Sequence, residues 1–461
     1  MRDFNSKLDA LKTEIGKSTP ARERLTYLYD EGSFTEIDAF VKHCDDNFSG
    51  VVTAYGYVDG NPVYAFSQDI TVKNGAMNCV QAEKIKKVYD LAAKTGVPVV
   101  GIYDSFGASI DKPVCSLTAY GELLMWANNL SGVVPQISVV AGTCAGAAAM
   151  LAQSADFVVM SKDAEMFVTP NTNIKNLAEN SAKSGTACAV CENDKEAVEF
   201  AKNILLKLPQ NNLSPVPMYE FDASDVEFSK DADTMIKAVA DLDSVIELSA
   251  EFGKASYTAL GSVGGATVGF VATNKTNAKL TSADCSKIAR FVRICDAFAI
   301  PVVTLVDTEG FEVSDEIEMQ GAVKDMSKLA HAYAEATTVK LAVITGNAFG
   351  PAYIALAGKG ANADLTFALP EAVISPIAPL AAAEFVSHDE LKGAENVDAK
   401  RNELADEYIN EKASAIVYAE SGAVDAIVDA GDVRNAIINA IEIMAGKRIS
   451  RLPKKHGNMP L

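Results

Sequence analysis

One segment occurs twice in this chain, and that repetition limits the fold more than any other feature. Residues 290–311, RFVRICDAFAIPVVTLVDTEGF, read as the end of an amphipathic helix, a break at Ile300-Pro301, an apolar run at 302–306, Asp307 and then Gly310. The apolar run is too short for a helix of its own and suits a buried strand. Residues 84–107, KIKKVYDLAAKTGVPVVGIYDSFG, repeat the pattern with Pro98, Asp104 and Gly107. By subtraction, Pro98 and Pro301, Asp104 and Asp307, and Gly107 and Gly310 each stand 203 residues apart.

The repeat extends in both directions. Upstream, VVTAYGYVDGNPVYAFSQD (51–69) matches SYTALGSVGGATVGFVATN (256–274), and each reads as a hairpin around Asp59-Gly60 or Gly264-Gly265. Downstream, ISVVAGTCAGAAAML (137–151) matches LAVITGNAFGPAYIAL (341–356), a buried strand entering a glycine-rich turn and an alanine-rich helix. Landmarks at near-constant offset predict two homologous α/β domains, divided here as 1–225 and 226–461. Residues 1 to about 50 form a lead-in, with helical spacing at Leu8, Leu11 and Ile15. Thr19-Pro20 then opens a second helix, which ends at Glu31-Gly32. The first α/β core is expected over about 51–215, with a helix at 192–208, and the proline- and aspartate-rich stretch 209–233 is the expected linker. Residues 389–414 read as a solvated acidic helix, and the basic C-terminal end as a surface tail.

Composition removes several function classes. Acidic residues outnumber basic ones 61 to 41, which argues against a nucleic-acid surface while leaving room for a local basic patch. Of the eight cysteines, at 44, 79, 115, 144, 188, 191, 285 and 295, only Cys188 and Cys191 form a C-x-x-C. With no second pair or adjacent histidine, eight reduced thiols and no metal site are expected. His43, His331, His388 and His456 fall in no metal or triad spacing. Nucleophile-elbow, P-loop and dinucleotide fingerprints are missing as well. The N-terminus is polar and helical rather than a signal peptide, and glycines interrupt the longest apolar stretches, so a soluble cytoplasmic protein is expected.

What the chain does repeat is a strand entering a glycine-rich turn and then a helix, at 105–108, 142–147, 308–311 and 348–352. Backbone N–H groups at such turns can stabilise an oxyanion, the chemistry of thioester enolates. Small residues there would equally serve close helix–strand packing, and the residues alone leave both readings open.

Longer runs carry a family resemblance: ARER…GSFTEID (21–38), VYAFSQDITVKNGAM (63–77), SGVVPQISVVAGTCAGAAA (131–149), RFVRICDAFAIPVVTLVD (290–307), KLAHAYAEAT (328–337) and the ending KKHGNMPL. They resemble the carboxyltransferase subunits of biotin-dependent acyl-CoA carboxylases and decarboxylases, such as the propionyl-CoA carboxylase beta chain. The resemblance implies an α/β chain of two tandem crotonase-like domains, each a spiral of β-β-α units. It also implies a dimer with active sites between the first domain of one chain and the second domain of its neighbour, commonly assembled into a hexamer. The expected partners are a biotin carboxyl carrier protein with biotin carboxylase, or decarboxylase membrane subunits. In that family carboxybiotin meets an acyl-CoA, CO2 is released, biotin takes the α-proton, and the thioester enolate attacks the CO2.

Carried over residue by residue, the family's two oxyanion loops fall on Phe106-Gly107-Ala108-Ser109 and Gly350-Pro351-Ala352-Tyr353. The resemblance therefore implies catalytic backbone at Phe106, Gly107, Gly350, Pro351 and Ala352. Substrate contacts are implied from Ala108, Cys144, Ala145, Gly146, Ala147, Gly310, Phe311, Tyr353 and Ile354, with no metal. Two positions depart from the pattern: Phe106 adds bulk where the family has glycine, and Pro351 has no N–H to donate. The family's Met-Gly-Ala stretch also reads differently, as Ile377-Ala378-Pro379. These departures motivate a second expectation, a diverged assembly subunit. A CoA hydratase or isomerase is disfavoured because no well-placed glutamate pair is present.

Overall fold

A computed structural model describes residues 4–42, 49–169, 174, 177–276, 279–360, 362–449 and 452–460, so His43 and Cys44 lie outside the described residues. The chain divides into two compact units, Met1–Pro215 and Val216–Leu461. Residues 216–225 pack with the second unit: Tyr219 N–H donates to Gly265 O and Leu242 N–H to Asp222 O.

In the first unit the strands are β1 (Thr35–Ile37), β2 (Val51–Val58), β3 (Asn61–Gln68), β4 (Val99–Ser105), β5 (Gln136–Ala145), β6 (Phe157–Ser161), β7 (Glu165–Phe167) and β8 (Ala189–Cys191). They form one sheet in the order β1-β2-β3-β4-β5-β6-β8, with β7 paired to β5. The second unit has β9 (Ile246–Leu248), β10 (Tyr257–Val263), β11 (Ala266–Ala272), β12 (Val302–Thr308), β13 (Lys340–Phe349), β14 (Leu365–Ala368), β15 (Val373–Ser375) and β16 (Ala426–Ile427). Its order is β9-β10-β11-β12-β13-β14-β16, with β15 paired to β13. The two topologies are the same, strand for strand. In each, an antiparallel hairpin (β2–β3, β10–β11) leads into parallel neighbours. Both hairpin turns have positive φ at their two central residues, Asp59 and Gly60 at 48° and 74°, Gly264 and Gly265 at 59° and 82°. That is the twist a tight two-residue hairpin needs.

The helices show why these segments fold locally. Asn78 caps the helix Cys79–Thr95, which ends on Gly96 in the left-handed conformation, and Val97-Pro98 follows. Its counterpart, Ser282–Ala297, starts with a full capping box between Thr281 and Asp284. A buried lysine sits at the same place in both helices. Lys84 Nζ donates to Val51 O at 2.9 Å and Lys287 Nζ to Ser256 O at 2.8 Å. Burial lowers both amino groups from the usual lysine range to about 8. Each unit has its own apolar core: Phe66, Ile85, Val88, Tyr103 and Leu123 in the first, Met235, Phe270, Val303, Leu341 and Ile437 in the second. Burying each such side chain contributes roughly 1.5–3 kcal/mol.

The lead-in packs into the first unit: β1 pairs with β2 and the helix Pro20–Leu28 buries Ala21, Leu25 and Leu28. Three expectations need correcting. That helix stops at Leu28 rather than at Glu31-Gly32. The acidic segment is broken into the α-helices His388–Lys392 and Val397–Tyr408 and the π-helical turn Ile409–Ala413, and it is not simply solvated: Leu391, Leu404 and Ala405 cluster with Ala383. The expectation of eight reduced thiols fails at Cys79 and Cys115, which are joined as a disulfide with Cα atoms 5.8 Å apart. The pair begins two helices, Cys79–Thr95 and Pro113–Leu130, that sequence separates by the whole of β4.

Candidate active site

The site begins where β4 and β12 end. Asp104 is buried, and one carboxylate oxygen accepts from Thr143 N–H at 3.1 Å. Asp307 does the same with Asn347 N–H at 2.8 Å. Each carboxylate lies against a glycine on the next strand. A Cβ on Gly142 would come 2.2 Å from Asp104 Oδ1, and one on Gly346 would come 2.3 Å from Asp307 Oδ1. The aspartates fill a local widening of the sheet. Tyr103 and Ser105 face Val140 and Cys144, so β5 carries two extra residues there. Val306 and Thr308 face Ile344 and Ala348 in the same way. This bulge bends the ends of β5 and β13 towards β7 and β15.

The loops after β4 and β12 are tied down on both sides. Ser105 Oγ accepts from Gly107 N–H at 3.1 Å, and Thr308 Oγ1 from Gly310 N–H at 3.2 Å. Gly107 and Gly310 have φ of 92° and 110°, a region that favours glycine. Met77 N–H donates to Gly107 O and Ser109 N–H to Met77 O. Leu280 N–H donates to Gly310 O and Glu312 N–H to Leu280 O. Between these bonds, the N–H groups of Ala108 and Phe311 have no partner among the described residues. Phe106 N–H is occupied, donating to Asn74 O at 3.1 Å. The Phe106 side chain is 58% exposed.

A second donor arm comes from the turns after β5 and β13. Gly146, with φ of 60°, donates to Phe167 O at 2.8 Å, and Ala147 opens the helix Ala147–Gln153 with an N–H that has no partner among the described residues. A Cβ on Gly107 would lie 2.7 Å from Ala145 O, so the Ala108 loop and the Ala147 turn are in direct contact. In the second unit, Gly350 has φ of 57° and stands where Gly146 stands. A Cβ on it would meet Pro376 O at 2.9 Å. The next residue is Pro351, which has no N–H, and Ala352 follows with an N–H that has no partner among the described residues. Cys144 is fully buried, and desolvation pushes its thiol far above the ordinary range, so it stays neutral S–H. Tyr353 meets Tyr418 edge to face, ring centroids 5.9 Å apart. Phe311 is buried and Ile354 exposed.

The structure thus brings Gly107, Ala108, Ala145, Gly146 and Ala147 together in one unit, and Gly310 and Phe311 against the Phe349-Gly350 turn in the other. The carboxylate under each bulge is the feature that sequence reading left without a role. Its signal was present in the paired spacings Asp104–Gly142 and Asp307–Gly346.

Two tandem domains of this topology, each ending in paired backbone turns, define the crotonase-like class of enzymes that stabilise thioester enolates. The carboxyl transferase domain matches residues 12–459. Relatives include the methylmalonyl-CoA decarboxylase subunit alpha of Propionigenium modestum, 36% identical over 97% of this chain and 94% of that protein. The propionyl-CoA carboxylase beta chain of Saccharopolyspora erythraea is 38% identical over 97% of this chain and 91% of its own length. Among solved structures, hexameric transcarboxylase 12S with methylmalonyl-CoA and methylmalonic acid bound superposes with a TM-score of 0.91. It is 35% identical and covers 98% of this chain and 94% of its own. The chain belongs to the carboxyl transferase domain family and is an acyl-CoA carboxyltransferase.

Proposed function

We propose that the chain moves a carboxyl group between carboxybiotin on a separate carrier protein and a short-chain acyl-CoA of the acetyl or propionyl class. The observation that carries this is the pair of N–H groups at Ala108 and Ala147 without a partner among the described residues, on two turns held in contact. An acyl thioester oxygen placed between them gains hydrogen bonds that strengthen as it becomes an enolate oxygen. Carboxybiotin would supply the carboxyl group and accept the α-proton at its nitrogen, so the chain needs no acidic or nucleophilic side chain there. Cys144 is buried and neutral, in keeping with that division of labour. In the second unit Phe311 N–H and Ala352 N–H are the donors that fit a second carbonyl group, that of biotin. The chain works as a homo-oligomer in the cytoplasm, and no helix among the described residues is long and apolar enough to cross a membrane.

Pro351 favours a second reading, an assembly subunit with little turnover of its own. The deciding experiment incubates the purified protein with malonyl-CoA or methylmalonyl-CoA and free biotin, in chelator, and measures carboxylate transfer. Transfer supports the first reading. Calorimetric binding of propionyl-CoA without transfer supports the second, and neither binding nor transfer overturns both.

A further inference from the structure

The bulge in β5 is held by a charge that comes from outside the sheet. Arg24, on the helix Pro20–Leu28, is 7% exposed, and each nitrogen of its guanidinium makes a hydrogen bond. Nη1 donates to Asp104 Oδ2 at 2.9 Å, Nε to Asp194 Oδ2 at 2.7 Å, and Nη2 to Ala141 O at 3.4 Å. The other oxygen of Asp104 accepts from Thr143 N–H. One side chain therefore fixes both ends of the widened segment, Ala141 through its carbonyl and Thr143 through Asp104. Cys144, Ala145, Gly146 and Ala147 follow directly.

We propose that Arg24 is a positioning residue for the first-unit oxyanion pocket, acting through Asp104 on Thr143 and the turn that carries Ala147. The inference rests on the carboxyltransferase reading of that pocket. Two physical effects act together. A buried carboxylate without its cation is strongly unfavourable, and it escapes by taking a proton or by turning towards water. Turning away releases Thr143 N–H and loosens the turn. A carboxylate left charged beneath the pocket also opposes the negative charge that develops on the substrate oxygen, and the guanidinium, shared with the partly exposed Asp194, offsets it. The second unit shows that the bulge itself does not demand an arginine. Asp307 is half-buried, holds Asn347 N–H, and takes its other hydrogen bond from the neutral amide of Asn274 at 2.9 Å. No cation pairs with Asp307 among the described residues. The arginine goes with the carboxylate that is buried.

The test compares wild type, Arg24→Met and Arg24→Met/Asp104→Asn. The double variant removes the buried Asp104 charge while the asparagine carbonyl still accepts from Thr143; Asp194 loses the same cation, but its side chain is partly exposed and keeps the hydrogen bond from Ser161 Oγ. Arg24→Met is expected to lower kcat for carboxyl transfer by about 10- to 100-fold with KM changed less than about threefold. The double variant is expected to recover most of that loss. Amide hydrogen exchange over residues 141–147, which needs no turnover, should speed up in Arg24→Met and slow again in the double variant. If Arg24→Met does not fold, Arg24→Lys keeps a cation with one point of attachment, and it should give a smaller kcat loss with faster exchange over the same residues. A folded Arg24→Met with wild-type kcat and exchange overturns the proposal, as does a double variant no better than the single one. A wild type without turnover counts against the carboxyltransferase reading alone, because the exchange comparison still decides whether Arg24 holds the turn.

Discussion

At the scale of single residues, the duplication sets up its own controls. Ala147 and Pro351 occupy the same place, 204 residues apart by subtraction, one with an N–H and one without. Because the second unit already accommodates proline at the start of the helix Gly350–Leu356, proline is structurally tolerable there. Ala147→Pro should therefore remove one donor while leaving the fold intact. We expect kcat to fall by about 100-fold, KM to change little, and thermal stability to stay within about 1 kcal/mol of wild type. Unchanged kcat in steady-state transfer assays would show that Ala147 N–H does not face the reacting oxygen. The reciprocal change, Pro351→Gly, restores a donor to the second unit and should raise kcat more than it alters KM, at about 1 kcal/mol of stability from greater freedom in the unfolded chain. A drop in kcat would mean that Ala352 N–H already serves and depends on the rigid proline. The proline was legible in the sequence. That Phe106 N–H is bound to Asn74, leaving Ala108 with the unpartnered donor, was not, since it depends on a loop more than thirty residues upstream.

At the scale of elements, helix–break–strand units were readable because period and punctuation are local. The widened β5 and β13 were not, because a register shift is a property of two strands that intervening helices separate in sequence. The three-residue β1 escaped notice for a related reason: it is too short to show alternation and becomes a strand only through its pairing with β2. Comparing the two copies of one element also yields a stability prediction. Gly96 closes the helix Cys79–Thr95 with φ of 66°, whereas Ala299, just past the end of Ser282–Ala297, adopts φ of 53° with a Cβ. Left-handed backbone costs a non-glycine residue roughly 1–2 kcal/mol. Ala299→Gly should thus stabilise the second unit by up to about 1 kcal/mol after the added freedom of the unfolded chain, read as a higher denaturation midpoint. The disulfide between Cys79 and Cys115 links two helix beginnings across 36 residues. In the loop-entropy account such a link is worth about 3–4 kcal/mol. Oxidised wild type should melt at a higher temperature than either reduced wild type or Cys115→Ser, and coincident melting curves would mean that the bond adds nothing to stability.

At the scale of the whole molecule, each unit leaves apolar side chains uncovered. On the first unit, Val114, Leu117 and Met125 of the helix Pro113–Leu130 are all exposed, and Val114 is 79% so. On the second, Phe385 and Val386 of the helix Pro379–Val386 are exposed, Phe385 at 81%. Scattered apolar residues on a surface are ordinary, but several on one helix indicate a covered face. The excess of acidic residues works against casual association, so an assembly has to come from such specific apolar burial. We therefore expect the protein to be a homo-oligomer at micromolar concentration, with Leu117 and Phe385 inside its interfaces. Light scattering should give a mass that is a multiple of the 48.8 kDa chain. Leu117→Glu and Phe385→Glu should each shift that mass downward while the circular dichroism of the units is retained, because a carboxylate forced into an apolar contact must stay charged without a partner, take up a proton at a cost, or part the surfaces. Transfer activity should fall with the mass if assembly completes the site. A wild-type monomer at these concentrations would refute the expectation outright, and full-size assemblies from both glutamate variants would move the interface elsewhere on the two units.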